Sequence, residues 1–475
     1  MLLRHFFVQK IAHSSYLLAG SDACAVIDPE RDTGIYLDAA RELGVRITHV
    51  LQTHLHADFV SGHRDLAEET GAAIYASRSA GCAFPHVGVG HGDLLTLEHM
   101  TLEVMETPGH TPEHVCFVLR DGSRSEDPVG VFTGDALFVG DVGRPDLFPS
   151  RATELAEALH ASLHEKLLLL PDYCEVYPAH GAGSLCGRSM SSKRHSTIGY
   201  ERHHNGALQI TNRDEFVRAL TTDMPEVPDH FSRCSEVNRQ GPVLVAALAS
   251  PVPMDPKTFN EAAALGTTVV VDTRDYDAFG GQHVPGALSL PLGGNFPIFA
   301  GWIVPPGSDI LLVADDEMAV EDAVLWLQKV GHDRVVGYLD GGMFEWTADG
   351  LPTAHVPQLS SQELHDRVLD EGNRVIVDVR GAKEFGQSHI RSAVNIPAAD
   401  LRTRHRELPL DRPLITVCST GQRSSMAASL LLQRGFAQVR NASGGMRGYG
   451  AAAYAPRCVM CSIPHGPQFI VSREE

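Results

Sequence analysis

The sequence predicts an α/β protein organised in three domains. Three observations carry that reading. Short apolar runs of strand length alternate with helical patterns along most of the chain, as in layered α/β folds. His and Asp residues fall repeatedly just past those runs, beside Gly and Pro, where such scaffolds carry their ligands. The C-terminal part also repeats itself. Val269-Val270-Val271-Asp272-Thr273-Arg274 matches Val375-Ile376-Val377-Asp378-Val379-Arg380, His283 to Ala287 matches His389 to Ala393, and Gly341-Gly342-Met343 matches Gly444-Gly445-Met446. The offset drifts only from 106 (269 to 375) to 103 (341 to 444), so each copy is a small domain with few gaps.

Taken in order, residues 6–19 and 23–28 predict two strands joined at Gly20-Ser21-Asp22, and 35–43 a helix. Residues 47–52 predict a strand, 63–70 a helix, and 94–106, 115–119 and 129–134 further strands. Residues 153–169 read as one long amphipathic helix and 174–177 as a strand. The proline-containing stretch 224–256 reads as a connector, with a possible strand in its run from Pro242. In the repeats, strands at 311–313 and 414–417 precede helices at 319–330 and 424–434. The expected domains are 1–245, 256–355 and 358–460.

Composition narrows the function classes. A chain of 475 residues exceeds one ordinary core. With 43% hydrophobic and 21% charged residues it is globular rather than disordered. A formal net charge of −20 argues against nucleic acid or an anionic membrane as partner. Residues 1–20 lack the apolar core and cleavage site of a signal peptide, and the longest aliphatic run, 167–170, cannot span a bilayer. Nine scattered cysteines, an odd number, point to free thiols in a reducing, cytoplasmic setting.

The densest chemistry lies in Thr53-His54-Leu55-His56-Ala57-Asp58-Phe59. Side chains at a spacing of two share one side of an extended segment, so His54, His56 and Asp58 converge. His110, Asp135 and His180 each follow a predicted strand in the same way. Imidazole and carboxylate suit zinc, iron or manganese, and the residues alone leave that choice open.

These pieces, in this order, resemble the metallo-β-lactamase superfamily over about residues 1–240. The resemblance implies an αββα sandwich with a metal at one edge. Hydrolases of the zinc glyoxalase type read His-x-His-x-Asp-His, and their last His and the Asp hold a second metal. Phe59 stands there instead, which favours a mononuclear centre. By resemblance to the persulfide dioxygenases of that superfamily, His54, His110 and Asp135 would hold one Fe(II) per chain. His56, Asp58 and His180 would hydrogen-bond around it, and Arg144, in Gly140 to Asp146, would contact the thiol carrier or the sulfur. Where glutathione-using relatives continue Pro-Ala-His with Asp-Tyr, this chain has Gly181-Ala182-Gly183-Ser184. Cys186 close behind reads as a relay thiol or an inert small residue. Lys193, Arg194 and Arg202 read as a site for an anionic carrier or as solvated surface.

In the second repeat, Cys418 ends a predicted strand and Arg423 opens a helix. Such a loop wraps backbone N–H groups around an anion, and the helix terminus favours a thiolate. Arg423 suits an anionic oxygen group. The Cys-x4-Arg spacing and the flanking motifs resemble the rhodanese sulfurtransferases over about residues 358–455. That implies Cys418 as the sulfur-carrying nucleophile with Arg423 beside it, and Gly421, Gln422 and Ser424 as substrate-binding positions. In the first repeat Ala314 aligns with Cys418 and Ala319 with Arg423, and Asp315 and Asp316 make the loop acidic. It is expected to be inactive, a spacer or a dimer-forming element. Cys458, Cys461 and His465 read as a plain tail or a labile metal or redox pair.

Together the resemblances imply an enzyme that oxidises a thiol persulfide, of glutathione or coenzyme A type, with dioxygen to sulfite and thiol. Cys418 would exchange sulfane sulfur among thiosulfate, sulfite and persulfide. A homo-oligomer is expected, with no nucleic-acid or membrane partner. Two alternatives remain: a zinc-dependent glyoxalase II-like thioester hydrolase fused to a rhodanese, and a non-catalytic persulfide sensor or carrier.

Overall fold

Period-two alternation along the N-terminal strands builds three apolar layers. Tyr16, Leu18, Ala25 and Ile27 pack with Leu102, Phe117, Leu119 and Phe132 in one cluster. Their neighbours Leu17, Ala19, Cys24 and Val26 face the other way, onto Tyr36, Ala39 and Leu66 of two helices. Cys116, Val118, Val131 and Val176 likewise meet Leu159, Leu163, Phe216 and Leu220. Two sheets face each other with helices on both outer sides, which is the αββα sandwich. The structure is a computed structural model that describes residues 1–222, 224, 227–228, 230–369, 373–452 and 469–471.

The chain divides into two compact units, Met1–Leu248 with Leu327–Asp333, and Ala249–Trp326 with Arg334–Glu475. In the first unit, one six-stranded sheet runs in chain order from Leu2–Val8 through His13–Ala19, Ala23–Ile27, Arg46–Leu51 and Ala73–Ser77 to Val87–Val89. The second is ordered Ser196–Thr197, Glu175–Pro178, Pro128–Gly134, Val115–Asp121, Met100–Glu106, Leu94–Leu97.

Several sequence expectations need correction. The single strand at 6–19 is a hairpin, broken by the 3-10 turn Gln9–Ile11 and by Ala12 at φ 49°. The strand at 94–106 is also a hairpin, turning at Glu98 with φ 56°. The long helix at 153–169 stops at His164 and gives way to the 3-10 turn Leu167–Leu169. The connector contains the helix His230–Gln240, and its apolar run after Pro242 forms the 3-10 turn Val245–Ala247 rather than a strand. Among the described residues that run pairs with no strand, so β-propensity alone does not decide it.

In the second unit the two repeats fold alike. One all-parallel sheet is ordered Val252–Met254, Val335–Leu339, Asp309–Val313, Thr268–Asp272, Leu288–Ser289. The other matches it strand for strand: Gln358–Leu359, Val439–Ala442, Leu414–Val417, Val375–Asp378, Ala393–Asn395. The shared sequence motif has a structural cause. Arg274 pairs with Asp272 and donates to the Gln282 carbonyl, as Arg380 does with Asp378 and the Ser388 carbonyl. His283 stacks on Phe279 at 3.7 Å and His389 on Phe385 at 3.9 Å.

Candidate metal centre and cysteine loop

Four strand ends bring the metal-type residues together. His54 follows Arg46–Leu51, His110 follows Met100–Glu106, Asp135 follows Pro128–Gly134 and His180 follows Glu175–Pro178. Asp135 Oδ2 lies 3.3 Å from His110 Nε2, 3.6 Å from His180 Nε2 and 3.8 Å from His54 Nε2. All four side chains are buried. Gly143 lies against the backbone here, since a Cβ on it would come within 1.9 Å of the Asp135 carbonyl oxygen.

The hydrogen bonds fix the ring tautomers. His110 Nδ1 meets the Arg144 carbonyl at 2.9 Å and His180 Nδ1 meets the Ala12 carbonyl at 3.2 Å. A carbonyl only accepts, so both Nδ1 atoms carry the proton. Thr53 Oγ1 donates to Asp28 and therefore accepts from His54 Nδ1 at 2.9 Å. The neutral His54 and His110 then present Nε2 lone pairs toward Asp135. None of these three Nε2 atoms, nor either Asp135 carboxylate oxygen, has a hydrogen-bond partner among the described residues. Buried acceptors aimed at one another repel, and each uncompensated one costs about 1–3 kcal/mol. A divalent cation resolves this, so the donor set fits a metal. His54, His110 and Asp135 form one group with suitable atom spacing. Burial pushes His54 well down and His110 down, keeping both neutral as ligation requires.

His56 and Asp58 stand beside this group. His56 Nε2 lies 3.1 Å from Asp28, which also accepts from Thr53 N and Oγ1. Asp58 lies 3.4 Å from His180 Nε2. For His180 burial opposes the charge, but Asp135 and Asp58 outweigh it and raise its pKa well above the ordinary value. Phe59 is wholly buried, with its ring 4.3 Å from His13 and 4.6 Å from His56.

Arg144 is buried too. Its guanidinium grips Asp146 at 2.7 and 2.8 Å and donates to the Leu185 carbonyl, next to Cys186. Lys193 and Arg194 line a cavity of about 540 Å³ with Glu175, His195 and Tyr200. Arg194 covers the ring of Phe7 and abuts Gly181, next to His180. Arg202 leaves this cluster and binds Asp172 and the Leu168 carbonyl.

Three residues missed in the sequence support the site. His13 Nε2–H donates to the Asp28 carbonyl at 2.8 Å. His114 Nε2 accepts from the Asp135 N–H at 3.0 Å. Asp28 ends strand Ala23–Ile27, obeying the same strand-end rule that flagged the others.

In the second unit, Cys418 follows strand Leu414–Val417 and precedes helix Gln422–Gln433. Gly421 N–H donates to Cys418 Sγ at 3.1 Å and Ser424 Oγ–H at 3.3 Å, so both address the sulfur. Gln422 opens the helix. Arg423 is held by Glu384 through two bonds of 2.7 and 2.9 Å and also donates to Ser419. The Arg423 hydrogen bonds push the Glu384 carboxyl down to about 2. Gly421 adopts φ 107°, and a Cβ there would lie 2.9 Å from the ring of Tyr276, which belongs to the first repeat. In that first repeat Gly342 approaches the Ala314 carbonyl as Gly445 approaches the Cys418 carbonyl, placing Ala314 at the position equivalent to Cys418. Its helix starts at Glu317, three residues after Ala314, against four after Cys418. Met318 rather than Ala319 therefore falls opposite Arg423, and neither is charged. Cys458, Cys461 and His465 lie outside the described residues.

Comparison with known proteins covers both units. The model of the metallo-beta-lactamase superfamily matches residues 9–180, and that of the rhodanese-like domain matches 255–349 and 360–452. The persulfide dioxygenase ETHE1 of Mus musculus is 34% identical over 225 residues, 46% of this chain and 80% of that protein. A hydroxyacylglutathione hydrolase of Rhizobium meliloti is 35% identical over 162 residues, 34% of this chain and 58% of that protein. A crystal structure of a metallo-beta-lactamase from Staphylococcus aureus superposes with a TM-score of 0.64 at 34% identity, covering 71% of this chain and 98% of that one.

Proposed function

Because the chain belongs to the metallo-β-lactamase superfamily, as a relative of the persulfide dioxygenases with two rhodanese-like domains behind that fold, we propose that it oxidises a thiol persulfide to sulfite and exchanges sulfane sulfur at Cys418. The observation that carries this reading is the convergence of His54, His110 and Asp135 on one buried point with their acceptor atoms unsatisfied. Two imidazoles and one carboxylate on one face suit non-haem Fe(II), and we assign them that ion. The iron supplies the redox chemistry that joins dioxygen to sulfur. The reaction balances as R–S–SH, dioxygen and water giving R–SH, sulfite and two protons.

The protein's own part is to hold and orient. The Arg144 carbonyl, Thr53 and the Ala12 carbonyl fix the three Nδ1 protons, so each Nε2 faces inward. Asp28 anchors Thr53 and His56. Asp58 and His180 are placed to exchange a proton with water near the reacting sulfur. Lys193 and Arg194 offer positive charge for an anionic carrier of glutathione or coenzyme A type. At the second site the Gly421 N–H and Ser424 hydroxyl stabilise sulfur charge on Cys418, and Arg423 lies beside it.

We divide the chain into domains at 1–245, 256–355 and 358–460, the middle one without sulfurtransferase activity. We place it in the cytoplasm as a homo-oligomer; among the described residues no helix is long and apolar enough to cross a membrane. The rival reading, a zinc thioester hydrolase, is favoured by the hydroxyacylglutathione hydrolase relatives and opposed by Phe59. Metal content measured with oxygen uptake decides between them. About one iron per chain with persulfide-dependent uptake supports the proposal. Zinc at about two per chain with thioester hydrolysis and no oxygen consumption refutes it.

A further inference from the structure

The first compact unit includes, besides Met1–Leu248, the segment Leu327–Asp333, which ends the helix Glu317–Lys329 of the first repeat. Gly331 sets the shape of that end. It adopts φ 76°, with its N–H donating to the Gln328 carbonyl at 3.0 Å and the His332 N–H to the Leu327 carbonyl at 2.9 Å. This is a Schellman cap, and it leaves the carbonyls of Lys329 and Val330 without a partner in their own helix, at the negative end of its dipole. Both are taken up by the sandwich. The Lys329 carbonyl accepts from Val60 N–H at 2.7 Å, and the Val330 carbonyl from Arg233 Nη2 at 2.8 Å.

Side chains lock the cap in the same place. Lys329 Nζ meets Glu30 at 2.9 Å with both side chains buried, and Asp333 lies 3.5 Å from the enclosed Arg31. A buried pair of opposite charges resists a shift in register, because either charge alone would be stranded. The bond to Val60 matters for where it lies. The Phe59 carbonyl and the Val60 N–H belong to one peptide plane. Asn238 Nδ2 holds the carbonyl at 2.8 Å and Lys329 holds the N–H, so the plane is pinned at both ends. That plane adjoins the Phe59 ring, which lies 4.6 Å from His56 and 4.3 Å from His13. Val60 is wholly buried, so water does not replace the Lys329 carbonyl.

We propose that the cap Leu327–Asp333 is a positioning element of the oxidation site: by fixing the Phe59–Val60 peptide it holds the Phe59 ring against His56, next to Asp58. The kinetic consequence rests on the oxidation reading, and the structural one on the hydrogen bonds alone. The first repeat thereby has a task that needs no cysteine, which accounts for a domain that keeps its fold with Ala314 where the second repeat has Cys418. The cap acts through Phe59 and its neighbours. A displacement of about 1 Å passed to a reacting site in this way costs up to about a hundredfold in rate.

The test uses the full chain, with and without iron. Gly331→Val puts a β-branched residue at φ 76° and distorts the cap, whereas Gly331→Asn supplies a side chain that accepts this conformation. Hydrogen exchange is read by mass spectrometry on fragments spanning residues 54–62, alongside iron content, oxygen uptake on supplied persulfide and thiosulfate exchange. With Gly331→Val, exchange at the Val60 N–H should speed up at least about tenfold in both the iron-loaded and the iron-free chain. In the loaded chain kcat for oxygen uptake should fall about tenfold or more with KM within about twofold, while iron content and thiosulfate exchange match the parent. Gly331→Asn should keep exchange and kcat within about twofold of the parent. If Gly331→Val fails to fold, Lys329→Met takes its place: it strands Glu30 and should give the same pair of changes, which Glu30→Gln in the same chain should reverse. Unchanged exchange at Val60, or faster exchange with unchanged kcat, would overturn the proposal. A parent that takes up no oxygen would refute the oxidation reading instead, and the exchange result would still test the cap.

Discussion

Replacing Gly421 by alanine should cripple sulfur exchange while leaving persulfide oxidation intact. Gly421 sits at φ 107°, where an L side chain costs about 1–2 kcal/mol. Its new Cβ would also lie 2.9 Å from Tyr276 Cζ and 3.1 Å from Tyr276 Oη, an overlap worth about 1–3 kcal/mol. The loop conformation that aims the Gly421 N–H at Cys418 Sγ is thus disfavoured by about 2–5 kcal/mol, or more than about twentyfold in population. The assay is kcat/KM for transfer from thiosulfate to an acceptor thiol, with oxygen uptake on supplied persulfide as the internal control. Adding Tyr276→Ala removes the overlap but not the φ strain. The double variant should therefore recover about 1–3 kcal/mol of the loss, a coupling that a double-mutant cycle reads directly. Normal transfer by Gly421→Ala would refute the reasoning. So would a double variant no better than the single one, since the first repeat would then have no part in shaping the loop.

Three further outcomes are expected. Phe59→His should raise the metal content of zinc-grown protein from about one to about two per chain by elemental analysis, because it restores an imidazole at the position the ring now blocks. Removing the metal by chelation should lower the melting temperature, by the equivalent of about 2.7 kcal/mol at a hundredfold excess over Kd, yet leave thiosulfate exchange unchanged. The third concerns pH. Glu384 is held at about 2 against 4.5 by its hydrogen bonds to Arg423. Its folded pKa is the lower one, so its stabilisation is complete above pH 4.5 and is lost as pH falls toward 2. The melting-temperature gap between the parent and Glu384→Gln should be open at neutral pH and close across that window. The pair is partly exposed, so the gap corresponds to about 1 kcal/mol or less.

How far the sequence could be read depended on whether a residue's role is local. His54, His110, Asp135 and His180 were legible because each obeys a strand-end rule and sits beside turn residues. The αββα sandwich followed from the resemblance those residues carry. The repeat was legible because Asp272–Arg274 and Asp378–Arg380 close their own turns within two residues. Roles made by distant pairing were not. His13 reaches the site only because it bridges to His180 across the sheet faces. Glu384 meets Arg423 from 39 residues away, with no local sign of it. The helix His230–Gln240 was hidden by the prolines around it, although its Phe231 and Cys234 are buried.

Helix Gln422–Gln433 is buried at every position from Ser424 to Leu431. A surface helix shows a dry stripe, whereas this one is enclosed all round. Part of its cover comes from the first repeat, where Ser289 bonds to Ser425 at 2.9 Å and to Ser429 at 3.0 Å. The domain carrying Cys418 therefore cannot be excised as a one-domain cassette without wetting its central helix. The first repeat can dispense with a counterpart of Cys418 but not with its shape, and the two repeats should melt in a single cooperative transition.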